Sequence, residues 1–162
     1  MLRPVSMTMP SNESPLNLVR GPARKPGWAQ LIRLGGDGVA VLFGELRRSV
    51  GRIDGGVERL HYSSKEERWV VQYRVGGAEL FVVWISPGVL EAGMALNRSD
   101  VERLLRNYSL SGTVKDAIRA GATEPGQGLV RFPLKDRRMV RSFVNLARAR
   151  NILISNSRGG NS

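Results

Sequence analysis

The 162-residue chain contains no cysteine, so disulfides, thiolate zinc sites and thiol catalysis are all excluded. It has one histidine, His61, too few for a metal site built on a histidine pair. Aromatic residues make up only 6% of the chain, and the longest apolar run, Leu80 to Ile85, is far short of the roughly 20 residues of a membrane helix. Met1 to Pro10 lacks the apolar core of a secretory signal. With no span and no disulfide chemistry, the expected location is the cytoplasm, with no membrane partner. Lysine is scarce too: four (Lys25, Lys65, Lys115, Lys135) among 25 cations, the rest being arginine.

Positive charge is abundant. Lys plus Arg number 25 against 14 acids, a formal net charge of +11. Two readings stay open. Arginine suits bidentate phosphate contacts, which points to nucleic acid or another acidic partner. Alternatively, a GC-rich genome writes arginine for lysine, and the charge serves solubility.

Hydrophobic residues at 41% and charged residues at 24% are ordinary globular proportions. The length suits one domain. Residues 1–21 read as a flexible basic tail, 22–154 as a single domain and 155–162 as a flexible C-terminal tail.

Hydrophobic spacing gives the element order. Trp28, Leu31 and Ile32 share a helical face. Gly35-Gly36-Asp37-Gly38 breaks the helix, with Asp37 as the expected N-cap of a second one carrying Val39, Leu42, Phe43, Leu46 and Val50. Four strands follow. Glu58 to Tyr62 is short. Trp69, Val71, Tyr73 and Val75 alternate with Val70, Gln72 and Arg74, the period of a half-buried strand whose outer face is expected to be polar, and Gly76-Gly77 fits a two-residue hairpin turn. Leu80 to Ile85, apolar on both faces, reads as a central strand, with Trp84 on the same side as Leu80 and Val82. Val89 to Leu96, interrupted by Gly93, is the fourth.

Ser99 and Glu102 form an expected capping box for a helix with Val101, Leu104, Leu105 and Tyr108 inward. Thr113 and Asp116 repeat the pattern ahead of a helix ended by Gly121 in the left-handed conformation, and Glu124-Pro125-Gly126 is a turn. Val130, Phe132 and Leu134 make an edge strand containing Pro133, and Asp136 caps a last helix to about Arg150. On that helix Met139, Val140, Phe143, Leu146 and Ala147 share one side; Arg137, Arg141 and Arg148 share the other, with Val144 among them. The order α-α-β-β-β-β-α-α-β-α predicts an α+β fold, an antiparallel sheet of about five strands with helices packed on one face.

The stretches RWVVQYRVGGAELFVVWISPGVLEAGMAL and GLVRFPLKDRRMVRSFVNLARAR, with Trp28-Ala29-Gln30-Leu31 upstream, resemble the domain of unknown function 3788 family over about residues 26–150. The chain departs from that pattern in having Arg68-Trp69 where members have Gly-Trp, and arginines at the end of the last helix. The resemblance implies the same α+β fold and brings no catalytic residues.

Chemistry is thinly represented. His61 lies on a strand with Arg59 on its face and Glu58 on the opposite one, so a general base there lacks an orienting carboxylate. Glu66-Glu67, beside Lys65 and Arg68, reads as a solvated charge run. Glu79 and Glu91 flank the central strands and form the best carboxylate pair for acid–base or metal work; pairing with nearby arginines is the simpler account. Trp84 is the aromatic most suited to lining a pocket, with Glu79 and Glu91 as companions. Gly35 to Gly38 lacks the spacing and lysine of a phosphate loop. No catalytic, cofactor or metal residue emerges. The leading expectation is a non-catalytic binding or accessory module. The alternatives are a nucleic-acid-binding protein using Arg137, Arg141 and Arg148, and an enzyme with an Arg/Tyr/Glu site near the sheet.

Overall fold

The structure, a computed structural model, describes residues 24–122 and 129–159. The expected order is realised: α1 (Trp28–Gly35), α2 (Asp37–Val50), β1 (Gly56–Ser63), β2 (Arg68–Val75), β3 (Ala78–Ser86), β4 (Val89–Ala95), α3 (Arg98–Leu105), α4 (Gly112–Ala122), β5 (Leu129–Pro133) and α5 (Arg137–Gly159). The strands form one antiparallel sheet in sequence order, β1-β2-β3-β4-β5. Leu80 to Ile85 is therefore central, and Pro133, which has no N–H to give a ladder, sits on an edge strand. Both turn glycines, Gly76 and Gly77, have positive φ (53° and 84°), the type I′ requirement.

Helices cover one face, and the core lies between. Phe143 of α5 meets Phe81 of β3 edge-on with ring centroids 4.9 Å apart, and Phe132 of β5 at 5.3 Å. No helix among the described residues is long and apolar enough to cross a membrane.

Several local expectations are corrected. The break between α1 and α2 falls at Gly36 (φ 84°), which precedes α2; Asp37 is the first helical residue rather than the cap, where its charge still favours the helix N-terminus. Asn97, not Ser99, caps α3: its side-chain oxygen accepts from the Asp100 N–H at 2.8 Å, and Glu102 pairs with Arg98 at 3.6 Å. Because α3 ends at Leu105, helical spacing no longer governs Tyr108, which is 100% exposed, and Leu110 turns inward instead. Ser111 rather than Thr113 supports the start of α4, accepting from the Val114 N–H at 3.3 Å. Gly121 stays helical; a Cβ there would lie 2.8 Å from Val130, so the glycine lets α4 press against β5. The expected turn Glu124-Pro125-Gly126 lies outside the described residues.

The last helix is longer than expected, continuing past Arg150 through Ser155 to Gly159. Met139 N–H donates to Asp136 Oδ1 at 2.8 Å, so the cap is as read. Val144 is buried rather than exposed, because α5 packs against α2 and α3 as well as the sheet and so buries a wider arc than one stripe.

Candidate functional site

The face of the sheet opposite the described helices carries its own small apolar cluster, Val70, Val82 and Trp84 with Leu129 beside it, contributed entirely by strands. A β-bulge puts Trp84 there. Phe81 pairs with Tyr73 and Glu79 with Arg74, leaving Leu80 as the extra residue. Leu80 therefore joins the helix-side core, while Val82 and Trp84 point to the opposite face, correcting the expectation that all three share a side.

Trp84 is only 5% exposed although none of the described helices packs against it. Three groups enclose it. Gly93 of β4 lies beneath the indole: a Cβ there would sit 2.1 Å from Trp84 Cη2. Arg131 of β5 lies across the ring, its guanidinium carbon 4.4 Å from the centroid. The indole N–H donates to Glu66 Oε2. Glu66 reaches this point from the β1–β2 loop, where its own N–H donates to Ser63 Oγ at 3.3 Å and Glu67 takes a positive φ of 52°. Its other oxygen accepts from Arg131 Nη2 at 2.9 Å, and Arg131 Nη1 donates to Glu91 at 2.8 Å. Burial works against the Arg131 charge, but Glu91 and Glu66 outweigh it and hold its pKa above the ordinary value. Glu66 is thus no solvated charge: it ties the loop to Trp84 and Arg131 across the sheet.

Alongside this cluster runs an open cleft of about 200 Å³. Val70, Val82 and Trp84 form its floor, and His61, Lys65 and Glu79 stand at its margins. Glu79 Oε2 accepts from Gln72 Nε2 at 2.6 Å, and Gln72 Oε1 accepts from Arg59 Nε at 2.6 Å. Gln72, only 3% exposed, is therefore a buried amide with both ends engaged.

The sequence-selected residues separate in space. Trp84 and Glu79 line the cleft. Glu91 borders the site through Arg131, and its strand position is opposite Trp84, five residues along β3 from Glu79. That separation is roughly 15 Å at the strand rise, so the two carboxylates do not form a pair. His61 is exposed at the cleft with no hydrogen-bonded carboxylate among the described residues. Arg137, Arg141 and Arg148 all lie exposed on α5, remote in chain and layer from the cleft.

Arginine, tyrosine and glutamate do meet, but on the helix side of the sheet. Arg47 of α2 donates to both oxygens of Glu58 (Nε at 3.1 Å, Nη2 at 2.8 Å), and the Tyr73 hydroxyl donates to Glu58 Oε2. Tyr73 is stacked on Phe81 at 4.4 Å. Burial first, then the hydrogen bond to Glu58 and its charge, push the phenol pKa far above the ordinary tyrosine value. A phenol so held keeps its proton. This trio lines neither the outer cleft nor a second, apolar cleft of about 350 Å³ beside the α1–α2 break. Among the described residues, no group of three histidine or acidic side chains is placed to hold a metal ion.

Gly93, Glu66, Gln72 and Arg131 are the site residues that sequence reasoning missed. The available signal was Gly93, a glycine inside a strand, which marks close approach by another group. No protein-family model matches the chain, and no curated protein or solved structure matches it either.

Proposed function

We propose that this chain is a non-catalytic binding module whose ligand site is the cleft beside Trp84 on the sheet face opposite the described helices. The observation that carries the reading is the enclosure of Trp84 by Gly93, Arg131 and Glu66, which makes a fixed apolar floor on the sheet face opposite the described helices. An apolar floor with a few placed polar groups is the usual composition of a small-molecule site. At about 200 Å³ the cleft is smaller than the roughly 300–1,000 Å³ of ordinary ligand pockets. It suits one small molecule with an apolar body and polar ends, not a nucleotide or a large cofactor. The carboxylates around it are already engaged by Arg131, Trp84 and Gln72, which supports binding over acid–base work. The reading sets the module in the cytoplasm, as its cysteine-free composition suits. The resemblance to the domain of unknown function 3788 family is part of the same reading and adds no reaction to it.

A thermal-shift panel of small amphipathic metabolites tests this. A ligand at 100 times its Kd adds about 2.7 kcal/mol to stability. The shift is expected in the wild type and not in Val82→Phe, which fills the cleft floor. Equal shifts in both proteins would move the site elsewhere, and a panel without any shift would remove small molecules from the reading.

A further inference from the structure

The arginines of α5 fall into two structural sets. Arg150 and Arg158 turn toward the sheet: Arg150 Nη1 donates to the carbonyl of the bulge residue Leu80 at 3.1 Å, and Arg158 donates to the carbonyl of Gly76 in the β2–β3 turn. Arg137, Arg138, Arg141 and Arg148 are exposed. Arg137 is partly neutralised by Glu45 of α2 at 3.3 Å, whereas Arg138, Arg141 and Arg148 form no ion pair among the described residues. From Arg137 to the end of the chain there is no acidic residue at all. The helix thus presents to solvent a row of guanidinium groups, and the charges of Arg138, Arg141 and Arg148 in it are not cancelled by an ion pair among the described residues.

We infer that this solvent face of α5 is a docking surface for the phosphate backbone of duplex nucleic acid. Arg137 to Arg148 spans eleven helical steps, about 16 Å, or close to five base-pair steps of a duplex. The planar guanidinium fork matches phosphate oxygens bidentately. An anionic membrane fits less well: Val140, Phe143, Leu146 and Ala147, which would supply the inserted apolar face of an interfacial helix, are buried in the core. Backbone contacts of this kind carry little sequence information, so the binding is sequence-tolerant and strongly salt-dependent.

The test is fluorescence anisotropy of the full chain with labelled 20-base-pair duplex DNA of two unrelated sequences, from about 50 to 200 mM salt. Wild type is compared with the triple variant Arg137→Gln, Arg141→Gln, Arg148→Gln, and with a charge-matched control, Arg33→Gln, Arg52→Gln, Arg103→Gln, whose sites are also exposed. Wild type and control are expected to bind both duplexes. The α5 variant is expected to lose affinity on both and to flatten the slope of log affinity against log salt by about 2–3. Circular dichroism of the variants establishes that each is folded. Equal slopes in wild type and α5 variant, an equal loss in the control, or no binding by wild type at 50 mM salt would overturn the inference. So would α5-dependent binding to phosphatidylglycerol vesicles without α5-dependent binding to DNA.

Discussion

The Trp84 indole occupies the space that a side chain on Gly93 would need. The two residues belong to paired central strands, and the glycine allows the ring to lie flat on β4 with Arg131 above it. Gly93→Ala is expected to displace the indole and destabilise the fold by about 1–3 kcal/mol, the usual cost of overpacking. Denaturant unfolding of Gly93→Ala, Trp84→Leu and the double variant checks this. The steric conflict vanishes once the indole is gone, so the double variant is expected to be less destabilised than the sum of the singles; strict additivity would mean that the contact costs nothing.

A second expectation concerns alkaline pH. The Tyr73 phenol is held protonated by burial and by Glu58, so its folded pKa is raised above its unfolded value near 10. Its contribution is fully present below pH 10. Above that pH the unfolded chain releases the proton while the folded chain keeps it, and stability falls by up to about 1.4 kcal/mol per pH unit. Tyr73→Phe lacks this slope and loses about 1.5–3 kcal/mol at neutral pH, the worth of a hydrogen bond to a charged acceptor. The gap between the two proteins is expected to narrow from pH 9.5 to 11. A constant gap would show that the phenol titrates normally.

The elements were readable because each carries a local signal: helical stripes in α2 and α5, the period-two set Trp69, Val71, Tyr73 and Val75 in β2, paired glycines at residues 76 and 77. The outer face of β2, expected to be polar, instead buries Val70 and Gln72. Failures arose where a single residue shifts a register or a neighbour decides the outcome. One bulge residue, Leu80, reverses the faces of Val82 and Trp84, and no periodicity within β3 reveals it. Glu66 looks like any loop carboxylate, and its partner Arg131 lies 65 positions away. Gly121 looks like a terminator because the sequence does not show Val130 pressing on it. The apolar cleft floor was legible in part through Trp84; its enclosure depends on three strands and a loop meeting, which only the fold specifies.

Arg131 offers a test of the outer cluster. Its two terminal nitrogens bridge Glu66 and Glu91 while the guanidinium plane lies on Trp84, a combination that a lysine ammonium cannot reproduce. The side chain is 52% exposed, so the ion pairs are partly screened by water. Arg131→Lys is expected to cost about 0.5–1 kcal/mol, the range of an exposed cation–π contact. It should also increase acrylamide quenching of Trp84, measured in a background where Trp28 and Trp69 are replaced by Phe. Unchanged quenching would show that Arg131 does not cover the ring.

The last expectation separates two adjacent residues of α5. Phe143 is 0% exposed and touches the rings of both Phe81 and Phe132, so it joins the helix to the central strand and to the edge strand at once. Phe143→Ala leaves a cavity bounded by sheet residues that their strand pairing holds in place, and little collapse can fill it. The expected loss is about 3–5 kcal/mol. Phe143→Leu keeps most of the volume and is expected to cost under about 1.5 kcal/mol beyond the lost ring contacts. Val144 is buried too, but it lies on the flank of α5 and is smaller, so Val144→Ala removes two methyl groups and is expected to cost about 1–2 kcal/mol. Urea unfolding of the three variants ranks them. If Phe143→Ala proved milder than Val144→Ala, α5 would be rotated from its position here, and the exposure of Arg141 and Arg148 would have to be reassigned with it.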